Sequence, residues 1–188
     1  MSEISLSHAL SRAFEERVDL GSWARFTPSL AGFLDEVCMP ASRSAAQRGE
    51  APESVAEAVF DPAGGTLLLT APTPIVKAEE LTQEGRWTRL LSRLTMAAPP
   101  TPSPDLPGVV LVGRSDGVEV SLPELDAQGR VLLGPTERRI LGRIGWQETG
   151  HVDNDETAEL VTRILIEVLE VAHPADLDYL LRAHSDVS

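Results

Sequence analysis

At 188 residues and 42% hydrophobic composition, the chain can bury a real core as one domain, or as one domain with a substantial extension. Its formal charge of -13, from 29 acidic against 16 basic side chains, argues against a nucleic-acid or anionic-membrane partner, since either needs a basic footprint. The single cysteine, Cys38, excludes an internal disulfide, and neither a signal-peptide segment nor a run of ~20 apolar residues is present, so a cytoplasmic protein is expected.

From the N-terminus, Leu6, Leu10, Ala13 and Phe14 recur at helical spacing over residues 5–16. Thr27-Pro28 can cap and begin a second helix whose apolar face is Leu30, Phe33, Leu34, Val37 and Cys38, closed by Pro40. Residues 41–54 are small, polar and without periodicity, which reads as an exposed linker. Residues 58–60, a turn over 61–65 and residues 66–70 read as a hairpin. Trp87, Leu90, Leu91 and Leu94 then predict a helix over about 86–97, with 79–84 as its extension beyond Gly85.

Five prolines between Pro99 and Pro107 exclude helix and central strand, and form the clearest boundary in the chain. Beyond it, residues 109–112 and the alternating Val118, Val120 and Leu122 flank Asp116-Gly117, a strong hairpin signal. A turn over 126–129 leads to a third expected strand at 131–133.

Gly134-Pro135-Thr136-Glu137 reads as a helix start, with Glu137 able to fold back on free amides. Ile140, Leu141 and Ile144 share a face, and Gly145-Trp146 predicts a left-handed helix ending whose tryptophan packs back on Leu141. Asp153 can cap a further helix bearing Leu160, Val161, Ile164, Leu165, Val168, Leu169 and Val171, a stripe wide enough to be covered on more than one side. Pro174 breaks that run, and Leu177, Leu180 and Leu181 suggest a last short helix.

No dinucleotide, phosphate-loop, nucleophile-elbow or zinc-protease motif is present. His151 with Asp153 and Asp155 is the one group that could take a cation, but it lacks the glycine and distal glutamate of a calcium loop, and a solvated capping loop explains it better. Cys38 lies among helical core positions, which favours burial over nucleophilic chemistry. Trp23, Trp87 and Trp146 read as core anchors before they read as a ligand groove. Trp23-Ala-Arg25-Phe26 faintly matches Trp87-Thr-Arg89-Leu90, as a degenerate duplication would, although amphipathic helices also match at this level by chance.

Trp87-x-x-Leu90, a strand meander, Leu141-x-x-x-Gly145-Trp146, a loop, and an apolar helix ending in Val171-x-His173-Pro174-x-x-Leu177 together resemble the type III secretion chaperone-like and YbjN-like (TY-Chap) superfamily over about residues 86–183. The resemblance implies an α+β fold in which a small antiparallel β-meander packs against helices, often dimeric or duplicated, and binds extended peptide segments of other proteins. Two units are then expected: an N-terminal helical and hairpin extension at 1–85, and a chaperone-like domain at 86–188 able to fold alone.

The expected function is a non-catalytic module that binds a partner polypeptide through apolar surfaces, with no cofactor or metal and with a homodimer among its assemblies. Val118, Val120, Leu122, Leu165 and Leu169 are the expected partner contacts; Trp87, Leu141, Gly145, Trp146 and Pro174 are the expected structural anchors. Competing readings are a structural subunit of an obligate dimer or complex, and a small-molecule enzyme using carboxylates of the acidic loop.

Overall fold

The computed structural model describes residues 12–38, 65–81, 100–114, 117–146, 150–151 and 153–182, with side chains not described at 36–38 and 150–151. A short helix α1 (12–17) places Phe14 in the core, and its backbone ends in a bond from Val18 N–H to the Phe14 carbonyl. Helix α2 (Trp23–Cys38) follows. It starts four residues before the expected Thr27-Pro28, because the Ser22 carbonyl accepts from both Arg25 and Phe26 amides and so opens the helix there.

Pro28 therefore lies inside α2, at a cost of about 3 kcal/mol for a helix interior. Burial of Phe26, Leu30, Phe33 and Leu34 on the same helix, each contributing roughly 1.5–3 kcal/mol, outweighs it. The expected face positions Val37 and Cys38 fall outside the described side chains.

Strand β1 (Thr66–Thr70) pairs antiparallel on both edges over its whole length, with β2 (Gly108–Arg114) and with β5 (Asp178–Arg182). No edge of β1 is left for the hairpin expected with residues 58–60, which themselves lie outside the described residues, as does the 41–54 linker. A single helical turn, α3 (Ala78–Leu81), comes next. The helix expected at 86–97, with Trp87, lies outside the described residues.

The Asp-Gly signal is met: β2 and β3 (Gly117–Ser121) pair antiparallel, with Gly113 opposite Val118. The third strand expected at 131–133 is not part of the sheet. Val131 instead makes isolated bridges to Pro102 and Leu125, its N–H and carbonyl being satisfied by Thr101 and Ser103 of the proline-rich segment. The turn before it is present, with Gly129 at φ 76. The Asp126 carboxylate accepts there from Gln128 and Arg130 amides, from the Arg130 guanidinium at 2.7 Å and from Ser103 Oγ at 2.5 Å.

Helix α4 (Pro135–Arg143) begins with Pro135 in its first turn. Glu137 does not close a capping box: it is buried, and its Oε2 has no partner. The ending matches the sequence reading. Gly145 has φ 76, Trp146 N–H donates to Leu141 O at 3.0 Å, Gly145 N–H donates to Gly142 O at 3.4 Å, and Trp146 packs half-buried against the core.

After a two-residue β4 (Gly150–His151), Asp153 caps α5 (Asn154–Arg163) through Asp155 N–H. The helix widens into a π turn at Ile164–Val168 and stops at Leu169, short of the expected Val171. Glu170 ends it at φ 52, and Val171 N–H returns to Leu165 O, so a glutamate occupies the position a glycine usually takes.

The last expected helix is a strand. Leu177, Leu180 and Leu181 fit a helical repeat, but only Pro174–Asp176 is helical, as a 3₁₀ turn, and Asp178–Arg182 is β5, drawn onto the open edge of β1. The sheet order is β4-β3-β2-β1-β5, all antiparallel: a four-strand meander with β5 returning beside β1.

Helices α2 and α5 pack on each other and cover one face of the sheet. Thr27 and Thr162 share a hydrogen bond of 2.9 Å between these helices, and Asn154 Nδ2 donates to Asp35 Oδ1. Under them one apolar cluster joins Phe14, Phe26, Leu30 and Leu67 to Leu111, Val120, Val161 and Leu165. Segments before and after residue 85 thus share one sheet and one core, where the sequence suggests separate units.

Candidate partner-binding surface

In a strand, alternate side chains face opposite ways, and in this sheet both sets are rich in apolar residues. Leu67, Leu69, Val109, Leu111, Val118, Val120 and Leu181 point under the helices and are buried. The opposite set gives an outer face on which Leu180, Leu68 and Val110 stand side by side across three strands, since Leu68 pairs with Leu180 on one edge and with Val110 on the other. Val112, beside Thr66, extends this row along β2.

Leu68, Val110 and Val112 are half-buried, and Leu180 is 42% exposed. Among the described residues no helix packs on this face. Its rim is polar, with Thr66, Thr70, Ser121 and the Arg114–Glu119 ion pair at 2.7 Å. An apolar strip of this shape matches the side chains of an extended polypeptide, while the rim supplies hydrogen-bonding groups.

The contacts expected from sequence are placed elsewhere. Val118, Val120, Leu122, Leu165 and Leu169 are all buried in the core between helices and sheet, so none can meet a partner without opening the fold. The wide stripe of α5 is consumed internally by α2, the sheet and α4. Leu141 and Pro174 are buried, and Gly145 and Trp146 form the helix ending; Trp87 is outside the described residues.

The outer apolar row could have been found by one signal. Thr66-Leu-Leu-Leu-Thr70 and Val109-Val-Leu-Val112 are continuous apolar runs, whereas an antiparallel strand with one wet face alternates. Continuity marks a second apolar face. Leu180 was hidden by the helical reading of its segment.

The acidic loop offers less. Asp153 is engaged as a helix cap and Asp155 is exposed, and among the described residues no group of three or more His, Cys, Asp or Glu is placed to hold a metal ion. Among the described residues the most perturbed carboxyl is Asp126: burial acts to raise its pKa, but the bonds from Ser103, Arg130 and Gln128 prevail and hold it well below the usual carboxylate range. It organises a turn. Among the described residues no helix is long and apolar enough to cross a membrane.

Comparison with known proteins gives no match among curated proteins or solved structures. A family model does match, described as the T3SS (YopN, CesT) and YbjN peptide-binding chaperone 3, over residues 89–182. That span is half of the chain, runs from before β2 to the end of β5, and agrees with the α+β meander and the Gly-Trp helix ending, so the chain belongs to the TY-Chap3 family.

Proposed function

We propose that this protein holds an extended segment of a partner polypeptide on the outer face of its sheet and carries out no chemistry. The observation that carries the reading is the row Leu180–Leu68–Val110 with Val112, on a face that no described helix covers. Membership of a peptide-binding family supports the class of ligand. The acidic balance favours neutral or basic segments and disfavours nucleic acid.

Recognition of this kind rests on apolar contact. Binding should therefore carry a negative heat-capacity change and change less than about threefold between low and ~0.5 M salt. Calorimetry and anisotropy with peptides selected from a random library test both points. Steep salt dependence, or substrate turnover abolished at Asp153 or Asp155, would replace this reading with an electrostatic or enzymatic one.

A further inference from the structure

We propose that Glu80 and Glu137 form a binding site for a hard divalent cation, calcium, between α3 and the first turn of α4. The site is separate from the sheet face, and the proposal does not rest on the reading above. Glu137 is only 7% exposed and Glu80 is half-buried, and the Oε2 atoms of both are shut off from solvent without a hydrogen-bond partner. Among the described residues three buried side-chain polar atoms lack a partner, and two of the three are this pair.

The two oxygens converge on one spot. A methyl group on Gly134 would stand 2.8 Å from Glu137 Oε2, 3.4 Å from Glu80 Oε2 and 3.6 Å from a Val76 methyl carbon, so the side chain that glycine lacks leaves a cradle lined by both carboxylates. Backbone conformation does not demand glycine there, because its φ of -82 and ψ of -175 are open to any residue. What the glycine supplies is space.

Two carboxylates held together out of water repel each other, and each buried oxygen keeps the cost of its lost hydration. Among the described residues no ion pair offsets this. The neighbouring Arg138 is spent on Glu124 and on the Leu133 carbonyl, and the one polar contact is Thr136 Oγ1, which donates to Glu80 Oε1 at 3.4 Å. A divalent cation cancels both charges at once and occupies the unused lone pairs of both Oε2 atoms. Carboxylate and hydroxyl oxygens are hard donors, which select calcium or magnesium over softer metals. Magnesium holds to its water shell, for which enclosed oxygens leave little room, whereas calcium accepts carboxylates directly and in flexible geometry. The charge of -13 also concentrates cations around the chain.

The test is calorimetric titration of the full chain, stripped of metal with EGTA, against calcium chloride. One ion is expected to bind per chain, and Tm should rise with calcium concentration, as a site present only in the folded state requires. Glu80→Gln and Glu137→Gln keep the shape of the side chain and remove its charge, and each should weaken binding at least about tenfold. Gly134→Ala keeps both charges and should weaken it as much, by filling the cradle. Asp155→Asn, at an exposed acidic residue elsewhere, should bind as wild type does. Circular dichroism establishes that each variant is folded. A wild type that takes up no calcium, or binding that survives the three substitutions at the site in folded protein, overturns the proposal.

Discussion

The hydroxyl of Tyr179 donates to the Glu15 carboxylate, joining the last strand to the first described helix across 164 residues. The Tyr179 ring also lies 4.5 Å from that of Phe14. Nearby, Trp23 Nε1 donates to Ala172 O at 3.2 Å, and His173 Nδ1 accepts from Ala175 N–H, which leaves its Nε2 to donate to Gly21 O. The N-terminal segment is thereby stitched to the C-terminal one at several points.

Residues 86–188 alone are therefore expected not to fold. The fragment lacks β1, whose neighbours β2 and β5 would face each other across a gap, and it lacks the core side chains Phe14, Phe26, Leu30, Phe33, Leu34, Leu67 and Leu69. At roughly 1.5–3 kcal/mol each, these together match or exceed the ~5–15 kcal/mol of net stability of a typical domain. Circular dichroism of the fragment should show no cooperative thermal transition; a sigmoidal melt would restore the two-unit division.

Tyr179 is the chain's only tyrosine, so tyrosinate absorbance reports it directly. Burial, then the hydrogen bond and charge of Glu15, push its pKa up to about 12 from 10.0. Because the folded value lies above the unfolded one, the contact's stabilisation is present below pH ~10 and is lost as pH rises through ~12. In Glu15→Gln the titration should move back toward the ordinary value. An unshifted midpoint in wild type would contradict the contact.

Glu170 at φ 52 holds a conformation that costs a non-glycine residue about 1–2 kcal/mol. Replacing it with glycine should stabilise the protein by about 1 kcal/mol, raising Tm by roughly 2–4 °C. The side chain is exposed, so little contact is lost. A lower Tm would show that the glutamate serves another purpose.

Asp126→Asn should destabilise at neutral pH, because the amide cannot accept the bonds now made by Ser103, Arg130 and Gln128 as a charged acceptor does. With the folded pKa depressed, the carboxylate's contribution is full above ~4 and fades as pH falls toward the folded value. Urea unfolding at pH 7 and pH 3 should show the difference between the two proteins shrinking at the lower pH. A gap independent of pH would mean the loss is steric.

Elements carried by local chemistry were legible in the sequence: the Asp-Gly hairpin, the Pro135 helix start, the Asp153 cap and the Gly145-Trp146 ending. Those decided by distant partners were not. Residues 178–182 carry leucines at helical spacing, yet the unpaired edge of β1 outcompetes that local preference. Ser22 opens α2 because Trp23 and Phe26, in edge-to-face contact at 5.4 Å, pack against the rest of the fold. The outer apolar face escaped the sequence reading for the same reason. Period-2 alternation shows that Val118 and Val120 share a face, but which face the helices cover depends on β1 and β5 entering the sheet.

The outer apolar row is proposed to hold the partner segment. Peptides selected on the wild-type chain from a random library should bind Leu68→Asp and Val112→Asp at least about tenfold more weakly by fluorescence anisotropy, the scale of losing one or two desolvated apolar contacts. Both variants should retain the wild-type circular dichroism spectrum. Peptides that bind the folded variants as tightly as wild type, or a library from which none can be selected, would contradict the account.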